Sequence, residues 1–341
     1  MKTSFNRRNF LKSLTVASVG MSAVGTRALA HQKVTENPTT IGIIGLDTSH
    51  SIAFPNIIHD PDGGPELAGF KVTAAYPYGS RKIESSYSRI PGYIENMKER
   101  GIEVVDSIDE LLDMVDVVML ETNDGHPRLE QALQVMETGK RMFVDKPVAA
   151  SLKDTIAIIE ASKEYGAPIF SSSSLRYMPV AKAIRNENKI GQVMGADVYS
   201  PASIEETHPD LFWYGIHGVE ILFTVLGTGC KTVSRTKTEG TDVVVGTWTN
   251  DRLGTFRGIR NGRSGFGGTA FGSDEIMTLG AFPGYRPLVV EMLEFFRTGV
   301  TPVSLEETLE IYAFMEAADE SVRQGGESVS MEHVLAEAGK K

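Results

Sequence analysis

The sequence predicts an α/β protein with two domains: an N-terminal domain on a parallel sheet and a C-terminal α+β domain with a largely antiparallel open sheet. Three observations support this prediction. The chain has 341 residues, more than one hydrophobic core usually supports. Short β-rich runs alternate with helical stretches in the first half, and longer alternating strands follow residue 192. We place the domains at residues 31–150 and 151–341, after a separate segment at 1–30.

The first half supplies strands that alternate with helices, a pattern typical of a parallel sheet with right-handed crossovers. The predicted strands are Thr40–Gly45, Lys71–Tyr76, Ile102–Val105, Val115–Glu121 and Arg141–Asp145, and the predicted helices include Asp109–Met114 and His126–Thr138. One further unit, a helix near Ser151–Tyr165 and a strand at Pro168–Ser172, follows before the pattern changes.

The second half alternates apolar and polar residues over longer runs, which predicts antiparallel strands. These are Gln192–Tyr199, Thr241–Trp248 and Leu253–Ile259, the last two joined as a hairpin around Asn250-Asp251. Helices at Leu211–Val225, Pro287–Thr298 and Leu305–Arg323 are expected to cover one face, and Ser304 with Glu307 fits a capping box for the last. The glycine-rich run Gly262–Gly272 is interpreted as a surface loop, with a substrate lid as the alternative.

The first thirty residues have the pattern of a twin-arginine signal peptide. Arg7-Arg8 is followed by an uncharged run from Ser13 to Thr26 and by the small-residue site Ala28-Leu29-Ala30. The apolar run is too short to span a bilayer, so we expect no membrane insertion. The signal predicts export in the folded state to the periplasm or another extracytoplasmic space.

The net charge limits the binding partners that we expect, and the cysteine content limits how the protein can be stabilised. The net charge is −10, and loss of the signal would remove basic residues only, so nucleic acid is an unfavourable partner. The single cysteine, Cys230, forms no internal disulfide, so stability outside the cytoplasm depends on packing.

The turn after the first strand departs from the pattern of a Rossmann-like dinucleotide-binding domain. That pattern is G-x-G-x-x-G, in which glycines bring the pyrophosphate close to backbone amides at a helix N-terminus. Here Gly45 stands at the first glycine, but Asp47 and His50 occupy the second and third positions, with Thr48 and Ser49 between them. A carboxylate is electrostatically unfavourable beside a pyrophosphate, and an imidazole is bulky where helix and strand should meet.

The end of the second strand also differs from that pattern. An acidic residue normally holds the ribose hydroxyls there, whereas this sequence offers Ser80, Arg81 and Lys82. These side chains suit a 2′-phosphate, so both NAD and NADP remain open, and a solvated loop is the alternative interpretation.

Several motifs together resemble the Gfo/Idh/MocA oxidoreductase family. Asp145-Lys146-Pro147 resembles the Glu-Lys-Pro segment of that family, with aspartate for glutamate. The accompanying matches are Asn123, His126, Arg176-Tyr177 with Pro179, and Gly215-Ile216-His217. The resemblance implies an NAD(P)-dependent oxidoreductase that acts on a sugar or sugar derivative, with a Rossmann-like first domain, a second domain for substrate and oligomerisation, and a homo-oligomeric assembly.

The resemblance also implies roles for individual residues. Lys146 and His217 would move the proton that accompanies hydride transfer. The predicted cofactor-binding residues are Gly45, Asp47, Thr48, Ser49, His50, Ser80, Arg81, Asn123, His126, Asp145 and Lys146. The predicted substrate-binding residues are Arg176, Tyr177, His208, Asp210, Trp213 and Tyr214.

The histidine motif of the family is altered here. Its aspartate should lie four residues before His217, where this sequence has Trp213, and an indole cannot orient an imidazole as a carboxylate does. Glu220, one turn after His217, is therefore predicted as the replacement partner and third catalytic residue.

A second function remains compatible with the sequence: a non-redox lyase or isomerase, or a sugar-binding protein that has lost dinucleotide binding. Asp47, Asp124 and Asp145 follow parallel strands, and such strand ends form the ligand-binding edge of a sheet. The pairs Asp47/His50 and His217/Glu220 offer metal-ligand types at i, i+3 spacing, but that spacing is common by chance. We therefore predict no metal for the main interpretation, with metal assistance retained for the alternative.

Overall fold

The computed structural model describes residues 37–340, so the predicted signal peptide lies outside the described residues. The strands are β1 Thr39–Ile44, β2 Phe70–Tyr76, β3 Glu103–Val104, β4 Val117–Leu120, β5 Met142–Val144, β6 Ile169–Phe170, β7 Val193–Pro201, β8 Cys230–Lys237, β9 Thr241–Trp248, β10 Leu253–Ile259, β11 Gly267–Gly272, β12 Ile276–Thr278 and β13 Val329–Ser330. The α-helices are α1 His50–Ile58, α2 Glu84–Tyr87, α3 Ile90–Glu99, α4 Ile108–Met114, α5 Arg128–Met136, α6 Leu152–Tyr165, α7 Pro179–Glu187, α8 Ile216–Leu226, α9 Arg286–Thr298, α10 Leu305–Arg323 and α11 Met331–Ala338.

The first sheet is parallel and has the strand order β3-β2-β1-β4-β5-β6, the order of a Rossmann fold. Its central strands consist almost entirely of buried apolar residues, because helices cover both faces of such a sheet. The predicted fold class is thus confirmed. Strand β6 pairs with β5, so this sheet extends about twenty residues beyond the boundary that we predicted at residue 150.

The second sheet has the order β12-β11-β7-β10-β9-β8-β13 and is antiparallel except where β10 runs parallel to β7. The predicted hairpin of β9 and β10 is confirmed, and its turn places Asn250 and Asp251 at φ of 60° and 58°. Asn and Asp tolerate this left-handed region better than most residues do. The predicted glycine-rich loop is wrong in its second half, because residues 267–272 form β11 against β7.

Helices α8 and α10 pack against the second sheet, as predicted. Gly218 of α8 allows a close approach, since a Cβ there would lie 2.2 Å from the ring of Phe256 on β10. The side chain of Ser304 caps α10 by accepting a hydrogen bond from the amide of Glu307 at 3.1 Å, which confirms half of the predicted capping box.

Helix α9 does not cover the second sheet as predicted but returns to the first domain. Its apolar side chains Leu288, Met292 and Phe295 share a core with α1 and with Phe143 and Phe170 of the parallel sheet. The periodicity of an amphipathic helix shows that one face is buried but not which sheet buries it. Within residues 37–340, no helix is both long and apolar enough to cross a bilayer.

Candidate active site at the carboxyl edge of the parallel sheet

Asp47, the residue that replaces the second glycine, links three loops of the parallel sheet. It is fully buried after β1. Its Oδ2 accepts a hydrogen bond from the amide of Ser80 after β2 at 2.6 Å, and its Oδ1 accepts one from the amide of Asn123 after β4 at 2.9 Å. Both oxygens of the carboxylate are therefore engaged by backbone donors, and Asp47 fixes the loops that follow β1, β2 and β4 relative to one another.

The rest of the turn keeps features of an anion-binding helix start. Gly45 has a φ of 95°, and a Cβ there would lie 2.5 Å from the amide nitrogen of Thr122, so only glycine fits. The backbone amides of Thr48, Ser49 and His50 have no hydrogen-bond acceptor among the residues described. Unpaired amides at a helix start can bind an anionic group, because the helix dipole adds to their attraction.

The loop after β2 folds towards the loop after β4. Ser80 is buried, and its hydroxyl accepts a hydrogen bond from the amide of Asp124 at 3.1 Å. Arg81 and Lys82 are exposed beside it. Ser80 therefore closes the two loops together, and the two cations remain at the surface of this edge.

His50, at the third glycine position, pairs with Asp145 after β5. Its Nδ1 lies 2.8 Å from Asp145 Oδ2, and its ring stacks on Phe54 with centroids 4.8 Å apart. Burial acts to raise the pKa of Asp145, but the charge and hydrogen bond of His50, with Lys146 and Arg128, hold that pKa well below its usual range. Asp145 is therefore ionised.

Lys146 lies next to this pair and has no hydrogen-bond partner for its ammonium group among the described residues. Its side chain is buried, with a relative exposure of 7% for the residue. Burial lowers the pKa of Lys146, Asp145 opposes that effect, and Arg128 adds to it. A buried lysine with a lowered pKa and a free amino group has the properties of a general acid or base.

His217 on α8 is buried and neutral. Burial lowers its pKa well below the usual value, and the charges of Lys146 and His50 lower it further. Its Nδ1 lies 2.7 Å from Ser173 Oγ, which also accepts a hydrogen bond from the amide of Leu175. Ser173 thus orients the ring, and Nε2 has no partner among the residues described.

The predicted pairing of His217 with Glu220 is wrong. Glu220 forms a buried ion pair with Arg176, with Arg176 Nε 2.7 Å from Glu220 Oε2. Arg176 also binds Glu307 at 2.7 Å, so this arginine holds α10 to α8 rather than a substrate. Tyr177, another predicted substrate residue, is buried in the core that contains α9.

Two other predicted substrate residues have structural partners. His208 Nε2 accepts a hydrogen bond from the amide of Gly125 at 3.0 Å, and burial lowers the pKa of His208 to about 4. Asp210 forms ion pairs with Arg235 and Lys237. His208 is therefore neutral at the edge of the site. Asp210 is engaged by ion pairs within the second domain.

Aromatic side chains connect the two histidines across the site. The contacts run from His217 to Phe266, from Phe266 to Phe282, from Phe282 to Tyr285 and from Tyr285 to His50, with ring centroids 4.8 to 6.1 Å apart. Tyr214 packs edge-on against His217 at 4.8 Å, and Trp213 lies 5.2 Å from His208. Aromatic faces of this kind pack against the apolar faces of a bound ligand.

Sequence reasoning did not identify Glu121, Ser173, Phe266, Phe282 or Tyr285 as site residues. Glu121 was assigned to the end of a strand, although its position at the carboxyl edge was a usable signal. Ser173 lies 44 residues before His217, and the three aromatic residues lie in the segments before β11 and after β12, so only the tertiary fold brings them to the site.

Two clusters of described side chains have ligand atoms close enough for a metal ion. They are Asp124/His126/His208 and His50/Glu121/Asp145, each with its ligand atoms within 4.8 Å of one another. Neither contains one of the i, i+3 pairs suggested by the sequence, since Glu220 is paired with Arg176 and both oxygens of Asp47 bind amides. In the first cluster, Asp124 Oδ1 binds His126 at 2.7 Å and His208 binds Gly125, so these groups already have partners.

Two curated proteins are similar to part of this chain. The chain is 30% identical over 122 residues to an uncharacterized oxidoreductase of Streptococcus pneumoniae, a match that covers 34% of this chain and 32% of that protein. It is 32% identical over 108 residues to the 1,5-anhydro-D-fructose reductase of Ensifer adhaerens, covering 30% of this chain and 32% of that protein. These matches span about a third of the length of the curated relatives.

Solved structures resemble both domains. The myo-inositol 2-dehydrogenase of Lactobacillus plantarum superimposes with a TM-score of 0.71 at 15% identity, covering 86% of this chain and 99% of that one. The scyllo-inositol dehydrogenase of Lactobacillus casei, solved with NAD(H) and scyllo-inositol, gives a TM-score of 0.68 at 15% identity, covering 87% and 100%. At this identity the likeness shows the two-domain fold.

The family model described as an oxidoreductase family with an NAD-binding Rossmann fold matches residues 39–172, the whole parallel sheet with β6 included. The first domain of this chain is therefore similar to the Gfo/Idh/MocA oxidoreductase family, and the solved structures share its two-domain fold.

Proposed function

We propose that the protein is an NAD(P)-dependent oxidoreductase that acts on a sugar or sugar derivative, with Lys146 and His217 in proton transfer. The observation that carries the proposal is the pair of buried, neighbouring groups, each with a free nitrogen: the amino group of Lys146 and Nε2 of His217. The family match and the names of the relatives, a sugar reductase and two inositol dehydrogenases, support a sugar or polyol substrate.

The residues at the sheet edge fit a dinucleotide at the start of α1. The unpaired amides of Thr48, Ser49 and His50 would hold the pyrophosphate, and Gly45 allows the close approach that such contacts need. Asp47 has both oxygens engaged by the amides of Ser80 and Asn123, so its carboxylate is partly neutralised within the protein. When bound, the nicotinamide of the cofactor would accept or supply the hydride.

Lys146 and His217 would handle the proton at the substrate hydroxyl. Lys146 can take the proton because burial lowers its pKa and no acceptor within the described residues holds its ammonium form. His217 is neutral, and Ser173 fixes its orientation, so its Nε2 would hold the hydroxyl oxygen in place. The aromatic side chains Tyr214, Phe266 and Tyr285 would exclude water from the same space.

The test pairs cofactor binding with turnover. Oxidation of a panel of hexoses, inositols and anhydro sugars with NAD or NADP is followed by absorbance of the reduced cofactor. We expect Lys146→Met and His217→Gln each to lower kcat by about 10²- to 10⁴-fold while cofactor binding is retained. The matched control is Lys153→Met on the exposed surface of α6, which should leave turnover unchanged. Full activity of the Lys146→Met/His217→Gln double variant would refute the assignment.

Export by the twin-arginine route and assembly into a homo-oligomer are further parts of the proposal. Exposed apolar residues on the second sheet, among them Tyr199, Leu253 and Ile276, support self-association. Fractionation after expression with the native N-terminus tests the first part, and light scattering of the purified protein tests the second. A protein confined to the cytoplasm, or a monomer at high concentration, would refute the respective part.

A further inference from the structure

Glu121 lies directly after β4, and its carboxyl group is buried without a hydrogen-bond partner among the described residues. Its relative exposure is 0%, and neither carboxyl oxygen bonds to a described residue. An isolated carboxylate in such a place is strongly disfavoured, whereas a protonated carboxyl group needs only one acceptor.

An acceptor of this kind lies next to Glu121. Asp145 Oδ1 is also buried and unpartnered, while Asp145 Oδ2 is engaged by His50. Ligand atoms of Glu121, Asp145 and His50 lie within 4.8 Å of one another. Two orphaned carboxyl groups at this separation require a shared proton or a cation between them.

The surrounding charges decide between these two occupants. Arg128 and Lys146 are both close enough to shift the pKa of Glu121, so the cluster already has two basic groups beside its two acids. The Arg128 guanidinium donates its hydrogen bonds to backbone carbonyls. Its Nε donates to the carbonyl of Thr122 at 2.6 Å, and its terminal nitrogens donate to the carbonyls of Asp145 and Lys146. The arginine therefore supplies positive charge without satisfying the carboxyl oxygens, and this charge opposes a divalent cation more strongly than it opposes a single proton.

We propose that Glu121 is protonated in the folded protein and shares its proton with Asp145, so that the two carboxyl groups hold one proton and one negative charge beside Lys146. The direction of the pKa shift agrees: burial first and then the charge of Asp145 raise the pKa of Glu121 well above its usual value. The hydroxyl group of protonated Glu121 donates a hydrogen bond to Asp145 Oδ1, and no covalent bond between the two residues forms or breaks.

The shared proton has a consequence for Lys146, which rests on the proposed function. Two ionised carboxylates beside Lys146 would hold its ammonium form, whereas a single negative charge lets burial keep the pKa low. Glu121 is thus a positioning residue that allows Lys146 to exchange its proton with the substrate.

Difference infrared spectroscopy tests the shared proton without any substrate or cofactor. The wild-type protein should show the carbonyl stretch of a buried protonated carboxylic acid near neutral pH, and Glu121→Gln should lack it. Glu137→Gln, at an exposed glutamate, is the matched control and should keep the band. Absence of the band from wild type, or its survival in Glu121→Gln, would overturn the proposal even if the enzyme proves active.

The pH profile of turnover tests the consequence for Lys146. Because glutamine is also neutral and can donate to Asp145, Glu121→Gln should reproduce the wild-type profile within about 0.3 pH units. Glu121→Leu removes the donor and should displace the profile. A displaced profile in Glu121→Gln would show an ionised Glu121 and overturn the proposal.

A metal titration tests the alternative that a cation, and not a proton, lies between the two carboxyl groups. Mn²⁺ and Zn²⁺ are titrated separately into chelator-treated wild type and Glu121→Gln. We expect no stoichiometric binding that depends on Glu121. Binding of one ion per chain that Glu121→Gln abolishes would assign the cluster to a metal and not to a proton.

Discussion

Asp47 is the residue at which this chain departs most from a dinucleotide-binding turn, and its replacement gives a prediction that can be worked from the structure. Asp47→Ala removes an acceptor for two amides, those of Ser80 and Asn123, in a fully buried position. A hydrogen bond to a charged group contributes about 1.5 to 3 kcal/mol, so the variant should lose about 3 to 6 kcal/mol of unfolding free energy. Asp47→Asn keeps one acceptor oxygen and should lose about half as much.

Urea denaturation followed by circular dichroism measures these losses, and thermal unfolding gives a second readout. For a chain of this size about 1 kcal/mol corresponds to roughly 2 °C, so Tm of Asp47→Ala should fall by roughly 6 to 12 °C. Asp60→Asn is the matched control, because Asp60 is an exposed aspartate, and the unfolding free energy of this variant should change by less than about 0.5 kcal/mol. A loss below about 1 kcal/mol in Asp47→Ala would refute the role of Asp47 as the link between the three loops.

Three further predictions concern residues that orient or stabilise the candidate site. Ser173→Ala removes the partner of His217 Nδ1 and should lower kcat about 10- to 100-fold with little change in KM, because the ring loses its orientation; steady-state kinetics measures this, and an unchanged kcat would contradict it. Arg176→Met leaves Glu220 and Glu307 without their shared partner and should cost about 3 to 5 kcal/mol in urea denaturation, whereas a loss confined to KM would restore the substrate role of Arg176. The folded pKa of Glu121 is raised, so its contribution to stability is complete below the unfolded pKa near 4.5 and is lost as pH rises through the folded pKa. Tm of the wild type should therefore fall faster than that of Glu121→Gln as pH increases, and parallel Tm curves would contradict this expectation.

The parts of the fold that could be predicted are those in which local pattern and tertiary role coincide. Strands β1 and β4 are largely buried apolar runs between turns, and the β9–β10 hairpin has a turn that suits Asn250 and Asp251. Helix α9 and strand β11 could not be placed in this way. Leu288 and Met292 pack on the first domain across a large gap in sequence, and the glycines of β11 carry no strand periodicity.

The candidate site was predictable where topology determines it. Parallel strands present their carboxyl ends at one edge, so Asp47, Asp145 and Lys146 could be assigned to that edge from the sequence alone. Partner choice was not predictable from spacing: Glu220 lies one helical turn from His217 but binds Arg176, while Ser173 from a distant segment binds the histidine. A buried arginine attracts a nearby carboxylate more strongly than a neutral imidazole does, and the sequence does not show which residues are buried together.

Dinucleotide binding is tested most directly by the cofactor content of the protein after export along its native route. The protein is denatured, and the released small molecules are identified by absorbance and mass; if none is found, binding is tested by thermal shift at millimolar NAD and NADP. Dinucleotide binding predicts either about one NAD(P) released per chain or a rise in Tm with one of the two dinucleotides, since a ligand that binds the folded state alone stabilises it. No released dinucleotide and no shift in Tm with either one would contradict it.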